Sequence, residues 1–330
     1  MRTSELPSVP PKYLVEDNLT QECIDLLSSL PRDKGWVASH LYQYQGFWHH
    51  ARQLQGVLTC QQHFEAQDSD ILLVTTPKSG TTWLKALLYA TVNRSNFPPD
   101  TNHPLLSQNP HHLVPFLELT LYVDRRVPDF TAFSPPRLFS THLPFISLPE
   151  SVKSTKTKII YLCRDPKDTL VSLWHFTNKL RPAEKGANSL EDVLDRFCRG
   201  ASICGPFWDH VLEYWKESLR NPDKVIFLKY EEIKENPEQH LMRLAEFLGC
   251  PFSLEGEASG VVQEILELCS FDKLSNLEVN KNGKLSSGEE HKAFFRRGEV
   301  GDWKNFLTAD MVDRIDRITE EKLGPFGFRF

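Results

Sequence analysis

A doubly wound α/β fold, a mainly parallel central sheet with helices on both faces, is predicted for this 330-residue chain by a strand–loop–helix pattern that occurs three times. Residues 71–75 (ILLVT) form a short apolar run with β-branched members. They are bounded by PKSG and followed by TTWLKALLYATVNR, whose apolar positions recur at helical spacing. The pattern returns at 159–163 (IIYLC), followed by RDP and DTLVSLWHFTNKL, and at 225–230 (VIFLKY), followed by NPEQHLMRLAEFLG. Runs that are apolar throughout suit parallel strands buried under helices on each side, and such sheets bind ligands at the carboxyl ends of their strands. A fourth strand is expected at 137–140, directly before Thr141 and His142. Further helices are expected at 207–220, 258–269 and 309–323.

Composition supports one compact unit. The chain is 40% hydrophobic and 25% charged, enough apolar material for a large core, and no Gly/Ser-rich or charge-run linker divides it. A single domain over 21–330 is expected behind a loose tail, 1–20, which has three prolines before residue 12 and no apolar periodicity. The N-terminus lacks the basic start and apolar run of a secretory signal, and no stretch approaches 18 apolar residues, so a cytoplasmic protein without a membrane span is expected. Seven cysteines, an odd number without a CxxC, read as reduced and buried thiols. A net charge of −6 argues against nucleic acid or an anionic membrane as partner, so an anionic ligand must meet a local basic cluster. The pairs His49-His50 and His111-His112 do not share a helix face and no HExxH occurs, so no metal site is expected.

Four segments carry chemistry. The loop Pro77–Trp83 (PKSGTTW) joins the first strand to its helix, where small residues expose backbone N–H groups to an anion. Lys78 adds a charge, and Ser79, Thr81 and Thr82 add hydroxyls around Gly80. In the kinase and NTPase loop GxxxxGK[ST] the lysine follows the second glycine, whereas Lys78 precedes the only glycine here, so that class is set aside. In YLCRDPKDTLVSLWHF, Arg164 follows a strand and Ser172 lies about two helical turns further on. A guanidinium fork with a nearby hydroxyl suits phosphate, although an Arg-Asp surface pair would look the same. FFRRGEVGDWKN supplies Phe295, Arg296, Arg297 and Gly298; paired arginines alone are ordinary surface charge. THLPF places His142 just past a strand end, where an imidazole can take a proton from a hydroxyl.

Together these motifs resemble the PAPS-dependent cytosolic sulfotransferases, the plant type above all, over roughly residues 25–325. The resemblance implies that Pro77–Trp83, including Trp83, forms a P-loop-like phosphosulfate-binding loop. It implies that Arg164, Ser172 and the loop 296–298 hold the 3′-phosphate of 3′-phosphoadenosine 5′-phosphosulfate (PAPS), and that Tyr230, Ser270, Phe271 and Phe295 surround its adenine. His142 becomes the general base of an in-line transfer, with Lys78 stabilising developing charge and no metal required. Arg297 stands where the family has lysine, Cys269 where threonine is commoner, and Ser140 where many members carry a lysine. For the acceptor, a small hydroxylated molecule, Phe116, Phe145, Trp174 and Phe176 flank the matched motifs as candidates for an aromatic slot. Flavonoid, steroid or brassinosteroid, hydroxyjasmonate, phenolic and desulfoglucosinolate acceptors all remain compatible. The polar segment 279–291 reads equally as a mobile lid or an ordinary surface loop. A dimer motif survives only in fragments around Lys304, Thr308 and Asp313, so the oligomeric state stays open. A catalytically dead module that binds adenosine bisphosphate would lack the base that His142 supplies.

Overall fold

The computed structural model describes residues 11–99, 102–124, 126–253 and 260–330. Three short strands, β1 (Arg32–Lys34), β2 (His40–Tyr44) and β3 (Phe47–His49), form an antiparallel sheet. Gln45 and Gly46, both with positive φ (51° and 87°), make the tight turn between β2 and β3. The central sheet contains β4 (Ile71–Thr75), β5 (Leu138–Thr141), β6 (Lys158–Cys163) and β7 (Val225–Lys229), all parallel, in the order β5-β4-β6-β7.

The apolar runs are buried on both faces. Leu72, Val74, Phe139, Ile159, Tyr161 and Phe227 join the core on one side of the sheet, while Ile71, Leu73, Leu138, Ile160, Leu162 and Ile226 join that on the other. This is the alternation expected when helices cover both faces. Because β5 and β6 flank β4 on opposite sides, the strand order switches beside β4, where doubly wound sheets open a ligand crevice at their carboxyl edge. The loops leaving β4, β5, β6 and β7 place Lys78, His142, Arg164 and Tyr230 along that edge.

Helices Phe207–Arg220 and Ala309–Leu323 span the expected residues, and the expected helix at 258–269 covers Val261–Leu268. Two expectations change. Tyr230 does not end β7 but opens the short helix Tyr230–Glu235. The loose tail does not reach residue 20: Lys12–Leu14 form a 3₁₀ turn, Tyr13 and Leu14 are buried, and the Lys12 N–H donates to the Ser287 carbonyl at 2.7 Å. Those two side chains supply the apolar burial that composition alone hid, while residues 1–10 of the expected tail lie outside the described residues. No described helix is long and apolar enough to cross a membrane.

Candidate active site

A cavity of about 310 Å³ opens at the carboxyl edge of the central sheet, a size suited to a small ligand. Lys78, Arg164, Ser172, Tyr230, Phe271 and Arg296 line one part of it; Phe116, His142 and Phe176 line another.

The basic part begins where β4 ends. Gly80 caps the helix Thr81–Val92 at φ 104°, and a Cβ there would sit 2.6 Å from the Tyr230 ring, so both the turn and the packing require glycine. Lys78 is also left-handed (φ 71°), a conformation that costs a non-glycine residue energy and recurs at functional sites. The three loop hydroxyls are held by neighbours: Ser79 bonds the Thr76 hydroxyl at 2.5 Å, Thr81 that of Thr75 at 2.7 Å, and Thr82 the His111 Nε2 at 2.9 Å. Lys78 Nζ lies 4.1 Å from the Phe176 ring centroid. Burial, reinforced by Arg296, Arg164 and Lys179, pulls its pKa down to about 7.

Arg164 is buried. It donates to the Glu299 carbonyl at 2.5 Å, pairs with Asp168 at 3.2 Å and lies 4.6 Å from the centre of the Tyr230 ring. Among the described residues, its Nε and that of Arg296 are buried without a hydrogen-bond partner. Cations that repel one another, with donors left over, suit a multiply charged anion. Gly298 (φ 67°) lies against Phe271, which a Cβ would approach to 2.6 Å, and its carbonyl accepts from Tyr230 Oη at 2.9 Å. Trp83 meets Tyr230 edge-on at 5.5 Å and Phe271 meets Phe295 at 6.1 Å, so these four aromatic rings sit together. Ser270 lines the same part while capping the helix Phe271–Asn276.

Two carboxylates that sequence reasoning missed hold this assembly. Asp168 accepts from the N–H groups of Gly301 (2.7 Å) and Trp303 (3.0 Å), tying the loop after Phe295 to the helix Pro166–Leu180. Asp302 binds Arg296 and, at 2.9 Å, Arg297. Its burial opposes ionisation, but bonds from Arg296 and Asn305 hold its pKa below the usual range. Arg297 lines the cavity with its guanidinium tied to Asp302, whereas Cys269 is buried in the core and away from the cavity wall. The only sequence signals for the carboxylates were the four-residue spacing of Arg164 and Asp168 and the GDW that follows the arginines.

On the acceptor part, His142 Nδ1 lies 2.7 Å from the Thr75 carbonyl, which places the proton on Nδ1 and the free lone pair on Nε2. Buried Glu118 accepts from the His142 N–H at 2.8 Å and from Thr141 Oγ1 at 2.7 Å. Burial lowers the His142 pKa to about 3, helped by the charges of Lys85 and Lys78 and only partly offset by the Thr75 carbonyl. Lys85 is a second group that sequence reasoning missed. Fully buried, it contacts His111 Nδ1 at 3.0 Å and lies 3.5 Å from the Phe116 ring centroid.

Phe116 and Phe176 line the cavity, but the other two aromatic candidates do not. Trp174 donates its indole N–H to the Asn188 carbonyl at 2.9 Å and packs against Phe306, because a residue two positions from Phe176 points to another side of the helix. Phe145 packs edge-on against Tyr214 at 5.7 Å, since the 3₁₀ turn Phe145–Ser147 carries it away from His142.

Residues 68–327 match the family model described as "Sulfotransferase domain". Cytosolic sulfotransferase 12 of Arabidopsis thaliana is 54% identical, over 97% of this chain and 97% of that protein; cytosolic sulfotransferase 13 of the same plant is 53% identical over the same shares. Among solved structures, a putative steroid sulphotransferase of A. thaliana is 47% identical with a TM-score of 0.77, covering 98% of this chain and all of that one. A mouse sulfotransferase complexed with PAP is 26% identical with a TM-score of 0.67, covering 86% and 94%. These matches show that the chain belongs to the sulfotransferase family and is a sulfotransferase.

Proposed function

We propose that this protein transfers the sulfuryl group of PAPS to a hydroxyl of a small, largely apolar metabolite in the cytosol, with His142 as general base. One observation carries the reading. A set of cations, Lys78, Arg164 and Arg296, the two arginines each with a buried Nε that has no hydrogen-bond partner among the described residues, shares a single cavity with a histidine whose Nε2 is free to accept a proton. When bound, the donor supplies an activated sulfuryl group, and adenosine 3′,5′-bisphosphate leaves.

The residues divide the work. Lys78 and the first-turn N–H groups of the helix Thr81–Val92 face the 5′ end of the donor and stabilise charge that builds there. Arg164, Ser172 and the Arg296–Gly298 loop clasp the 3′-phosphate, and the aromatic group of Trp83, Tyr230, Phe271 and Phe295 receives the adenine. His142 takes the acceptor proton on Nε2, oriented by the Thr75 carbonyl. Phe116 and Phe176 offer apolar walls to a phenolic, flavonoid, steroid or hydroxyjasmonate body. The names of the plant relatives support both the compartment and the small-molecule acceptor.

Titration calorimetry with adenosine 3′,5′-bisphosphate, set against ATP with Mg²⁺, tests the donor; tight binding of ATP and none of the bisphosphate overturns it. Arg164→Ala removes a charge-assisted contact worth about 1.5–3 kcal/mol, so bisphosphate affinity should fall about 10- to 150-fold in a folded protein. Labelled PAPS offered with a panel of hydroxylated metabolites identifies the acceptor class.

A further inference from the structure

We infer that Glu289 selects acceptors carrying a second hydrogen-bond donor, a hydroxyl, remote from the one that is sulfated; this rests on the sulfotransferase reading of the cavity. Glu289 lies in the segment 284–290, which folds back on itself through a bridge between Lys284 and Glu290 and the bond from Leu285 N–H to the Glu289 carbonyl at 2.8 Å. Leu285, Ser287 and Glu289 thereby line the cavity, and Glu289 is only 4% exposed.

The carboxylate has neutral company. Ser287 donates its hydroxyl to one oxygen, and the buried Tyr13 of the N-terminal turn lines the same cavity. No ion pair to Glu289 forms among the described residues; its attraction to Lys85 acts from beyond pairing distance. A carboxylate offers about four lone-pair directions, and the Ser287 hydroxyl fills only part of them. Carboxylate oxygens on a cavity wall with a single protein hydroxyl as donor can take more hydrogen bonds, so this wall favours a ligand that brings one.

The cavity that Glu289 and His142 share also has apolar lining, contributed by Leu14, Phe116, Leu119, Leu180 and Leu285. A flat apolar body fits against these side chains, with one hydroxyl at His142 and another at Glu289. A monohydroxylated analogue fills the same walls but leaves the carboxylate unanswered. Sites built around a buried polar group reject analogues that lack its partner, here by about 10-fold or more in kcat/KM.

The test uses two acceptors with one ring skeleton, one bearing a single hydroxyl and the other a second hydroxyl at the far end, each assayed with PAPS. Wild type should favour the dihydroxylated member about 10-fold or more. Glu289→Leu should remove that preference while leaving adenosine 3′,5′-bisphosphate affinity unchanged, and Ser287→Ala, which strips the hydroxyl that donates to the carboxylate, should increase it. Transfer to both acceptors with no preference, or a ratio unmoved by Glu289→Leu in a protein that still binds the bisphosphate, overturns the inference alone. Bisphosphate binding without transfer to any member of a wide acceptor panel overturns the reading beneath it as well.

Discussion

At the residue scale, His142 differs from the imidazole that its sequence context suggests. A free histidine titrates near 6.5, and rate would then rise with pH through that value. Burial and the neighbouring lysines instead lower the pKa to about 3, so the ring is neutral and able to accept a proton throughout the physiological range. Lys78 carries the opposite consequence. The protonated ammonium is the form that attracts an anionic donor, and its pKa of about 7 means that this form is lost as pH rises through neutrality. The free-enzyme profile of kcat/KM for PAPS should therefore be level from about pH 5 to 6.5, with no imidazole limb, and fall above about 7. Donor binding near pH 8 should take up a proton, seen as a buffer-dependent calorimetric heat; a profile that rises between pH 5 and 7 overturns the His142 assignment of charge. His142→Ala should lower turnover by about 10² to 10⁴-fold while bisphosphate affinity holds, because its contacts come from other residues. A folded His142→Ala protein with near-normal turnover shows that another group takes the proton.

At the scale of elements, the strands at 71–75 and the helices at 207–220 and 309–323 were legible because their hydrophobic period is strong and both faces or one whole stripe are buried. The helix Ala51–His63 was not, because its buried positions include Arg52, Gln53 and Gln55, polar side chains that mask the apolar stripe of Leu54 and Val57. Asp168 was hidden in a similar way: four residues from Arg164, it reads as a surface ion-pair partner, yet it is fully buried and accepts two N–H groups from a loop more than 130 residues away. This makes it the joint between the helix Pro166–Leu180 and the arginine loop. Asp168→Ala leaves the buried Arg164 guanidinium without its counter-charge, a change that typically costs about 3–5 kcal/mol. A lower denaturant midpoint and weakened bisphosphate binding should appear together. Loss of stability with normal bisphosphate affinity shows that the loop holds its place without Asp168.

For the whole molecule, the basic residues that the sequence singled out do meet in one cavity, whereas much of the rest of its lining was not legible. Lys78, Arg164 and His142 stand at strand ends, where the parallel sheet gathers residues distant in sequence to one edge. The cavity is also lined by Tyr13 and Leu14 from a segment whose prolines suggested a loose tail, and by Leu285, Ser287 and Glu289 from one whose polarity fitted a lid and a surface loop equally. Neither segment has a periodicity that marks burial; each is buried against the other and the cavity. The backbone bond from Lys12 N–H to the Ser287 carbonyl joins them, so motion of one is coupled to motion of the other. A ligand that enters past this wall requires the pair to open, and segments that open for ligands belong to the least stable part of a fold. Amides over 284–290 and at 12–14 should therefore exchange faster than those of β4 in the free protein, and slow in parallel when bisphosphate and acceptor bind. Removing residues 1–14 should raise KM for the acceptor and speed exchange over 284–290, with bisphosphate affinity changed little because its contacts lie on the other side of the cavity. Strong protection of 284–290 that is the same with and without ligands makes the segment a fixed wall, and unchanged exchange there after the truncation removes the coupling.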